Sequence, residues 1–233
     1  MGLKSAYLVL YNSVSCAAWA YVLGLTLSTC TGGNASVWSS VELPLKIAQT
    51  AAVMEPLHAA LGLVRSPLAT AAMQVYSRLF VVWGVLHTVP AAATQHVAVP
   101  GVPDGALPFG GLSLTTCLIA WCVTEVIRYA FYATKEIGEA PYVITWLRYT
   151  TFIVLYPLGV SSELALLYLA YPTIKEQRPY SLDMPNAFNF AFDYPTWCLI
   201  TAGLYLPGFP QLYLYMSTQR VKVLGKKPKA KAA

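Results

Sequence analysis

The chain has 233 residues, of which 57% are hydrophobic and 11% charged, with a mean hydropathy of +0.54 and a formal net charge of +5. A soluble domain carries about 25% charged residues, so this composition excludes an ordinary soluble protein and describes a polytopic membrane protein with room for one bundle. The positive balance sits largely in Arg220, Lys222, Lys226, Lys227, Lys229 and Lys231. That run follows an apolar span directly, so it reads as a cytosolic anchor beside anionic lipid rather than a nucleic-acid surface.

Hydropathy predicts an all-α polytopic membrane protein: a six-helix transmembrane bundle over residues 1–218 and a basic cytosolic tail over 219–233. The first span, Ser5–Leu27, lies in a segment too long for a signal peptide and without its cleavage pattern. Met1-Gly2-Leu3-Lys4-Ser5-Ala6 misses the myristoylation pattern at its sixth position. The second, Leu45–Val64, is interrupted by Glu55 and His58, and the third, Leu68–Val89, carries Gln74 and Arg78. A Gly/Pro-rich loop without Lys or Arg, Pro90–Gly111, leads to the fourth span, Leu112–Tyr132, with Glu125 and Arg128 at i, i+3. The fifth, Tyr142–Tyr171, is bounded by Pro141 and Pro172 and holds Arg148, Tyr156, Pro157, Gly159 and Glu163. The sixth is Tyr194–Tyr215. The five cysteines form no CxxC pair, so no disulfide framework is expected.

Charge asymmetry sets the orientation. A cytosolic N-terminus puts Lys4, Arg65, Lys135 and the tail on one side, whereas Lys46, Lys175 and Arg178 on the other are offset by Glu42, Asp104, Glu176, Asp183 and Asp193. Both termini are therefore expected in the cytosol. Asn34-Ala35-Ser36 is a glycosylation sequon in the first, luminal loop. The ending Lys229-Ala230-Lys231-Ala232-Ala233 resembles the K-x-K-x-x retrieval signal of endoplasmic reticulum membrane proteins.

Ionisable groups inside apolar spans are costly in lipid and usually mark a site or relay facing the bundle interior. Glu55 and Arg78 each lie about 14 Å from the cytosolic ends of adjacent antiparallel spans, which predicts an ion pair between them. Arg148 lies about 10 Å from the cytosolic end of its span. Tyr156 and Glu163 are seven residues apart, so they share a helix face about 10 Å apart along the axis, with Pro157 placed to kink it. Such an interior suits an amphiphile with an anionic head at the cytosolic surface. The three histidines, His58, His87 and His96, are too few for di-iron histidine boxes. Glu55-x-x-His58 lacks the second copy that a di-iron carboxylate site needs, so no metal site is expected. Neither a Gly-rich phosphate loop nor a Gly-x-Ser-x-Gly elbow occurs.

Several stretches carry a family likeness: Tyr7-Leu8-x-x-Tyr11-Asn12, Glu55-x-x-His58-x₃-Gly62, Gln74-x-x-Ser77-Arg78 and Trp121-x₃-Glu125-x-Ile127-Arg128-Tyr129-x-Phe131-Tyr132. The most specific is Arg148-Tyr149-x₆-Tyr156-Pro157-x-Gly159-x₃-Glu163. Together they resemble the very-long-chain (3R)-3-hydroxyacyl-CoA dehydratase family, also called protein tyrosine phosphatase-like proteins. The resemblance implies that Tyr156 and Glu163 form the catalytic pair and that Glu55, Gln74, Arg78, Arg148 and Gly159 support activity or structure. It implies no cofactor, a long-chain 3-hydroxyacyl-CoA substrate, and partners in the elongation cycle: an elongase, a 3-ketoacyl-CoA reductase and an enoyl-CoA reductase. Phosphatase chemistry itself is excluded, because Ala59 stands where the Cys-x₅-Arg nucleophile would precede Arg65.

Dehydration needs removal of a C2 proton and protonation of the departing 3-hydroxyl, which two positioned groups can perform. Either group fits either role; the preferred assignment makes Glu163 the base and Tyr156 the acid or hydrogen-bond donor. Arg148, and secondarily Arg128, are the candidates for the CoA phosphates. The competing class is an inactive membrane scaffold or acyl-lipid-binding protein whose polar network only fixes helix packing. A transporter is disfavoured because no span in one half has a counterpart in the other.

Overall fold

The computed structural model describes residues 2–99, 101, 110–187 and 189–225. Asp104 and the tail lysines Lys226, Lys227, Lys229 and Lys231 lie outside the described residues, as does the K-x-K-x-x ending. The described part is mostly helical: α1 (Leu3–Thr29), α2 (Gly33–Ala51), α3 (Met54–Ala60), α4 (Leu68–Leu79), α5 (Leu114–Ile137), α6 (Tyr142–Arg148), α7 (Phe152–Gln177) and α8 (Tyr194–Leu224). A π-helical segment, Phe80–Leu86, continues α4. The strands His96–Val97 and Leu112–Ser113 pair antiparallel before α5.

The molecule is apolar outside as well as inside. Leu10, Val14, Leu43, Val154, Leu206 and Leu214 all point outward, Leu206 with 79% of its surface exposed. Water would not tolerate so much contiguous apolar surface, whereas acyl chains would. Four helical stretches are long and apolar enough to cross a membrane: Leu3–Ala60, Leu68–Leu86, Leu114–Ile137 and Phe152–Gln177. The first contains α1 and α2, which pack together after the chain turns at Cys30–Gly32. Tyr194–Leu224, the expected sixth span, is helical but does not reach the hydropathy of those four stretches.

Two expected boundaries are corrected. The second span begins at Gly33 and not at Leu45. Gly33 sits at φ +81°, a conformation that glycine adopts without strain, and reverses the chain there. Val37, Val41, Leu45 and Ala48 then bury one helical face, while Glu42 and Lys46 pair at 2.6 Å. Those charges made the segment read as a loop. The fifth span is two helices, α6 and α7, separated at Tyr149–Thr151. Thr151 turns its hydroxyl back onto the Leu147 carbonyl (2.9 Å), a competing bond that bends helices. Pro172 does not end the span, because α7 runs through it to Gln177.

Inside, Trp19 and Val22 of α1 meet Val37, Val41 and Leu45 of α2, with Leu118 and Cys122 of α5 and Leu166 and Ala170 of α7 in the same core. α5 is the central helix, and at its start the Ser113 N–H donates to the Thr116 hydroxyl at 2.9 Å. Thr116 also bonds Ser162 of α7 at 2.9 Å. Gly84 lies where an added Cβ would fall 2.2 Å from the Tyr194 hydroxyl, so the π-helical segment and α8 approach only because that residue is glycine. At the end remote from α6, Arg178 bridges Asp183 and Asp193 at 2.9 and 3.2 Å. Two hydrogen bonds from Thr196 to Asp193 cap α8 and hold that carboxyl below its ordinary range.

The sequon Asn34-Ala35-Ser36 is not on an open loop. Asn34 is buried in the first turn of α2, accepting from Thr115 at 2.6 Å and donating to the Gln95 carbonyl at 3.4 Å. A glycosylating enzyme needs that amide free and extended. The protein recovered from microsomes should therefore show no change in gel mobility on endoglycosidase treatment, and a glycan found on Asn34 would contradict this packing.

Candidate active site

The charged residues of the interior form one chain of bonds across three helices. Arg78 of α4 donates to one oxygen of Glu125, and Arg128 donates to the other through Nε at 2.8 Å. Arg128 also grips Glu55 of α3 through both terminal nitrogens, at 2.6 and 2.5 Å. Tyr129 donates to Glu55 as well. The expected Glu55–Arg78 pair therefore does not form. α5 inserts Glu125 and Arg128 between the two residues, and the order becomes Arg78–Glu125–Arg128–Glu55. Two positive and two negative charges close a neutral set, which is the condition for keeping them in a bundle.

Beside this chain lies a cavity of about 260 Å³. Glu55, Gln74, Arg78, Arg128, Tyr156, Gly159 and Glu163 all reach its wall, so seven of the eight residues singled out by sequence converge there. Glu163 is 6% exposed and is clamped between two donors: Trp121 Nε1 at 2.8 Å to one oxygen and the Tyr205 hydroxyl at 2.6 Å to the other. Sequence reasoning missed both partners as site residues. Trp121 stood in a quoted motif without a role of its own; Tyr205 is a phenol inside an apolar helix, the same signal that marked Tyr156. Gly159 lies between Tyr156 and Glu163 on α7 and faces Ala120 and Trp121. A Cβ there would lie 3.9 to 4.0 Å from the Trp121 ring, so methyl fits but larger side chains would press on the indole that holds Glu163.

Arg148, the eighth residue, lines a second and larger cavity of about 750 Å³ with Lys4, Arg65 and Lys135. Its guanidinium lies 4.8 and 4.5 Å from the rings of Phe131 and Tyr132 and donates to the Tyr132 hydroxyl at 2.8 Å. Stacking fixes the plane of the charge without neutralising it, and the buried Nε has no hydrogen-bond partner. Arg128 differs, since its charge is met by two carboxylates. The two cavities share Glu55, Gln74, Thr124, Arg128, Tyr156 and Leu212. A basic, polar chamber thus adjoins an apolar one, with Tyr156 at the common wall. Elsewhere, His58 is buried and held by the Tyr7 hydroxyl at 2.7 Å, with the Tyr7 and Tyr11 rings edge-on to it.

Residues 49–226 match the family model described as protein tyrosine phosphatase-like protein, PTPLA. The chain belongs to this family. It is 41% identical over 225 residues to the very-long-chain (3R)-3-hydroxyacyl-CoA dehydratase PASTICCINO 2 of Arabidopsis thaliana, covering 96% of this chain and 95% of that protein. It is 42% identical to very-long-chain (3R)-3-hydroxyacyl-CoA dehydratase 2 of Homo sapiens, covering 95% and 82% of the respective chains. The hpo-8 dehydratase of Caenorhabditis elegans is 44% identical, with 94% of each chain covered. No solved structure matches. The family match takes in α3 to α8, which supply every residue of the Glu163 clamp and the four-charge chain.

The bonding order makes an unequal prediction for the two glutamates. Glu125→Ala removes the shared partner of two arginines, and breaking a buried pair costs about 3–5 kcal/mol. Glu55→Ala leaves Arg128 still bound to Glu125 and should cost less. Thermal melting in detergent should rank Glu125→Ala below Glu55→Ala, and the reverse order would contradict the network.

Proposed function

We propose that the protein dehydrates very-long-chain (3R)-3-hydroxyacyl-CoA to the trans-2-enoyl-CoA in fatty-acid elongation, a carbon–oxygen lyase reaction. The observation that carries this is the clamped Glu163 and Tyr156 on one face of α7, both at the wall of a mostly apolar cavity that adjoins a basic chamber. The printed activity of relatives covering nearly the whole chain supports it.

In this reading the CoA phosphates occupy the basic chamber against Arg148, whose planar charge suits phosphate oxygens. Arg128 takes part through its bonds to Glu55 and Glu125, which hold the chamber wall. The thioester crosses the common wall beside Tyr156. Glu163, aimed by Trp121 and Tyr205, takes the C2 proton. The C2–H electrons form the double bond as the C3–O bond breaks, and Tyr156 delivers a proton to the departing hydroxyl, giving water. Glu163 ends protonated and Tyr156 deprotonated, so one proton passes back between them before the next turnover. No redox change occurs, and two acid–base groups suffice.

We further place the protein in the endoplasmic reticulum membrane with six passes: α1, α2 with α3, α4 with its π-helical continuation, α5, α6 with α7, and α8. This arrangement puts Lys4, Arg65, Lys135 and the basic tail in the cytosol with both termini, as the distribution of positive charge favours. The substrate's place in the cycle makes the elongase and the two reductases its natural neighbours.

Purified protein in detergent should convert a long-chain (3R)-3-hydroxyacyl-CoA to the enoyl product. Tyr156→Phe should lower kcat by about 10²–10⁴-fold, the worth of a positioned acid, without loss of melting temperature. Glu163→Gln should lose as much activity. It should melt near the wild-type temperature, because the amide oxygen can accept from Trp121 while its NH2 donates to the Tyr205 hydroxyl, which accepts as well as donates. Tyr168→Phe is the control: Tyr168 is 72% exposed on the outside of α7, and its removal should leave turnover unchanged. Full activity in both Tyr156→Phe and Glu163→Gln would refute the assignment. For topology, a C-terminal tag in sealed microsomes should be digested by added protease without detergent, and a protected tag would contradict six passes.

A further inference from the structure

The smaller cavity is closed on one side and open on the other. Towards α1, α2 and α5 its wall is Trp19, Gln49, Ala52, Ala120 and Trp121, all buried. Towards α4 and α8 the same cavity is lined by residues on the outer surface of the bundle: Met73 is 43% exposed, Leu204 53%, and Pro207 is also exposed. The opening therefore lies in the seam between these two helices. Tyr76 pins one end of the seam, bonding Thr201 at 3.1 Å and accepting from Trp197 at 2.9 Å. Further along, Met73 meets Gly208, where a Cβ would stand 3.8 Å from the Met73 sulfur. Glycine on one helix and a flexible thioether on the other leave that stretch easy to part.

Size decides what the opening is for. Sites that enclose a drug-sized ligand measure about 300–1,000 Å³, and this one holds about 260 Å³. A very long acyl chain with its thioester near Tyr156 and Glu163 cannot be contained there. It must leave the cavity, and the four-charge chain and Trp19 bar the other side. At the α4/α8 seam it meets lipid, which is as apolar as the methylenes themselves, so emerging carries no desolvation penalty.

We propose that the seam between α4 and α8 is a lateral acyl port: the hydrocarbon chain enters from the bilayer past Met73 and Gly208, and its distal part stays in lipid. This rests on the dehydratase reading and adds to it the route and the residues that govern chain length. Long chains then need no long tunnel, and the aperture, not a closed end wall, determines which substrates pass.

A 3-hydroxyeicosanoyl-CoA carrying a diazirine midway along its chain tests this on the wild-type protein. Photolysis in nanodiscs should label peptides from Leu68–Leu79 and Tyr194–Leu224. Labelling confined to α1, α2 or α5 in protein that turns the probe over would overturn the port and leave the dehydratase reading intact. If no turnover of this probe or of the unmodified substrate occurs, the dehydratase reading itself falls. As a second measurement, Gly208→Phe should narrow the aperture. The ratio of kcat/KM for 3-hydroxyeicosanoyl-CoA over 3-hydroxyoctanoyl-CoA should drop by about tenfold or more, a size that a few displaced methylenes can produce. Met73→Trp, from the opposite helix, should reproduce that drop. An unchanged ratio in a folded variant of either residue counts against the port.

Discussion

The bundle depends on Glu125. Its two oxygens hold Arg78 of α4 and Arg128 of its own helix, and Arg128 in turn holds Glu55 of α3. In a low-dielectric interior each of these charges alone would be prohibitive, and together they form a neutral set that ties three helices at one depth. The consequence is positional. Glu55 and Arg128 of the set belong to the wall shared by the basic chamber and the apolar cavity, with Gln74, Thr124, Tyr156 and Leu212, while Arg78 and Glu125 face the apolar cavity.

Within the apolar cavity the protein treats another carboxylate differently. Glu163 has no salt bridge among the described residues; it accepts from an indole and a phenol. Neutral donors orient the group without fixing a counter-charge on it. Glu125 is saturated by two arginines and is a poor candidate for taking up a proton, whereas Glu163 retains that capacity. The two glutamates, both buried in the same bundle, thus differ in the kind of partner each has.

Much of this site was legible in the sequence because polar residues stand out in apolar runs. Tyr156, Glu163, Gln74, Arg78, Glu125 and Arg128 were all visible in that way, and spacing along α7 correctly put Tyr156 and Glu163 on one face. Partner choice was not legible. Rise per residue gives depth but not azimuth, so Glu55 and Arg78 were matched while the helix between them was overlooked. Tyr205, a phenol among Leu204, Leu206 and Pro207, carried the same information as Tyr156 but lies outside the quoted motifs. The start of α2 was obscured by Glu42 and Lys46, whose mutual neutralisation at one helical turn is a property of the folded segment. Asn34 looked like a loop residue for the same reason.

The wall shared by the two cavities bears on the by-product of the reaction. Each turnover of a dehydratase makes a water molecule next to an acyl chain, and a trapped water there would favour the reverse hydration. In the proposed mechanism the hydroxyl leaves C3 beside Tyr156, a residue that also faces the polar chamber together with Gln74 and Arg128. On that mechanism the water forms one side chain away from the chamber lined by Lys4, Arg65 and Lys135. In that proposed reading the water and the hydrocarbon have separate ways out, so the enoyl thioester is not held on the enzyme beside the water that could rehydrate it.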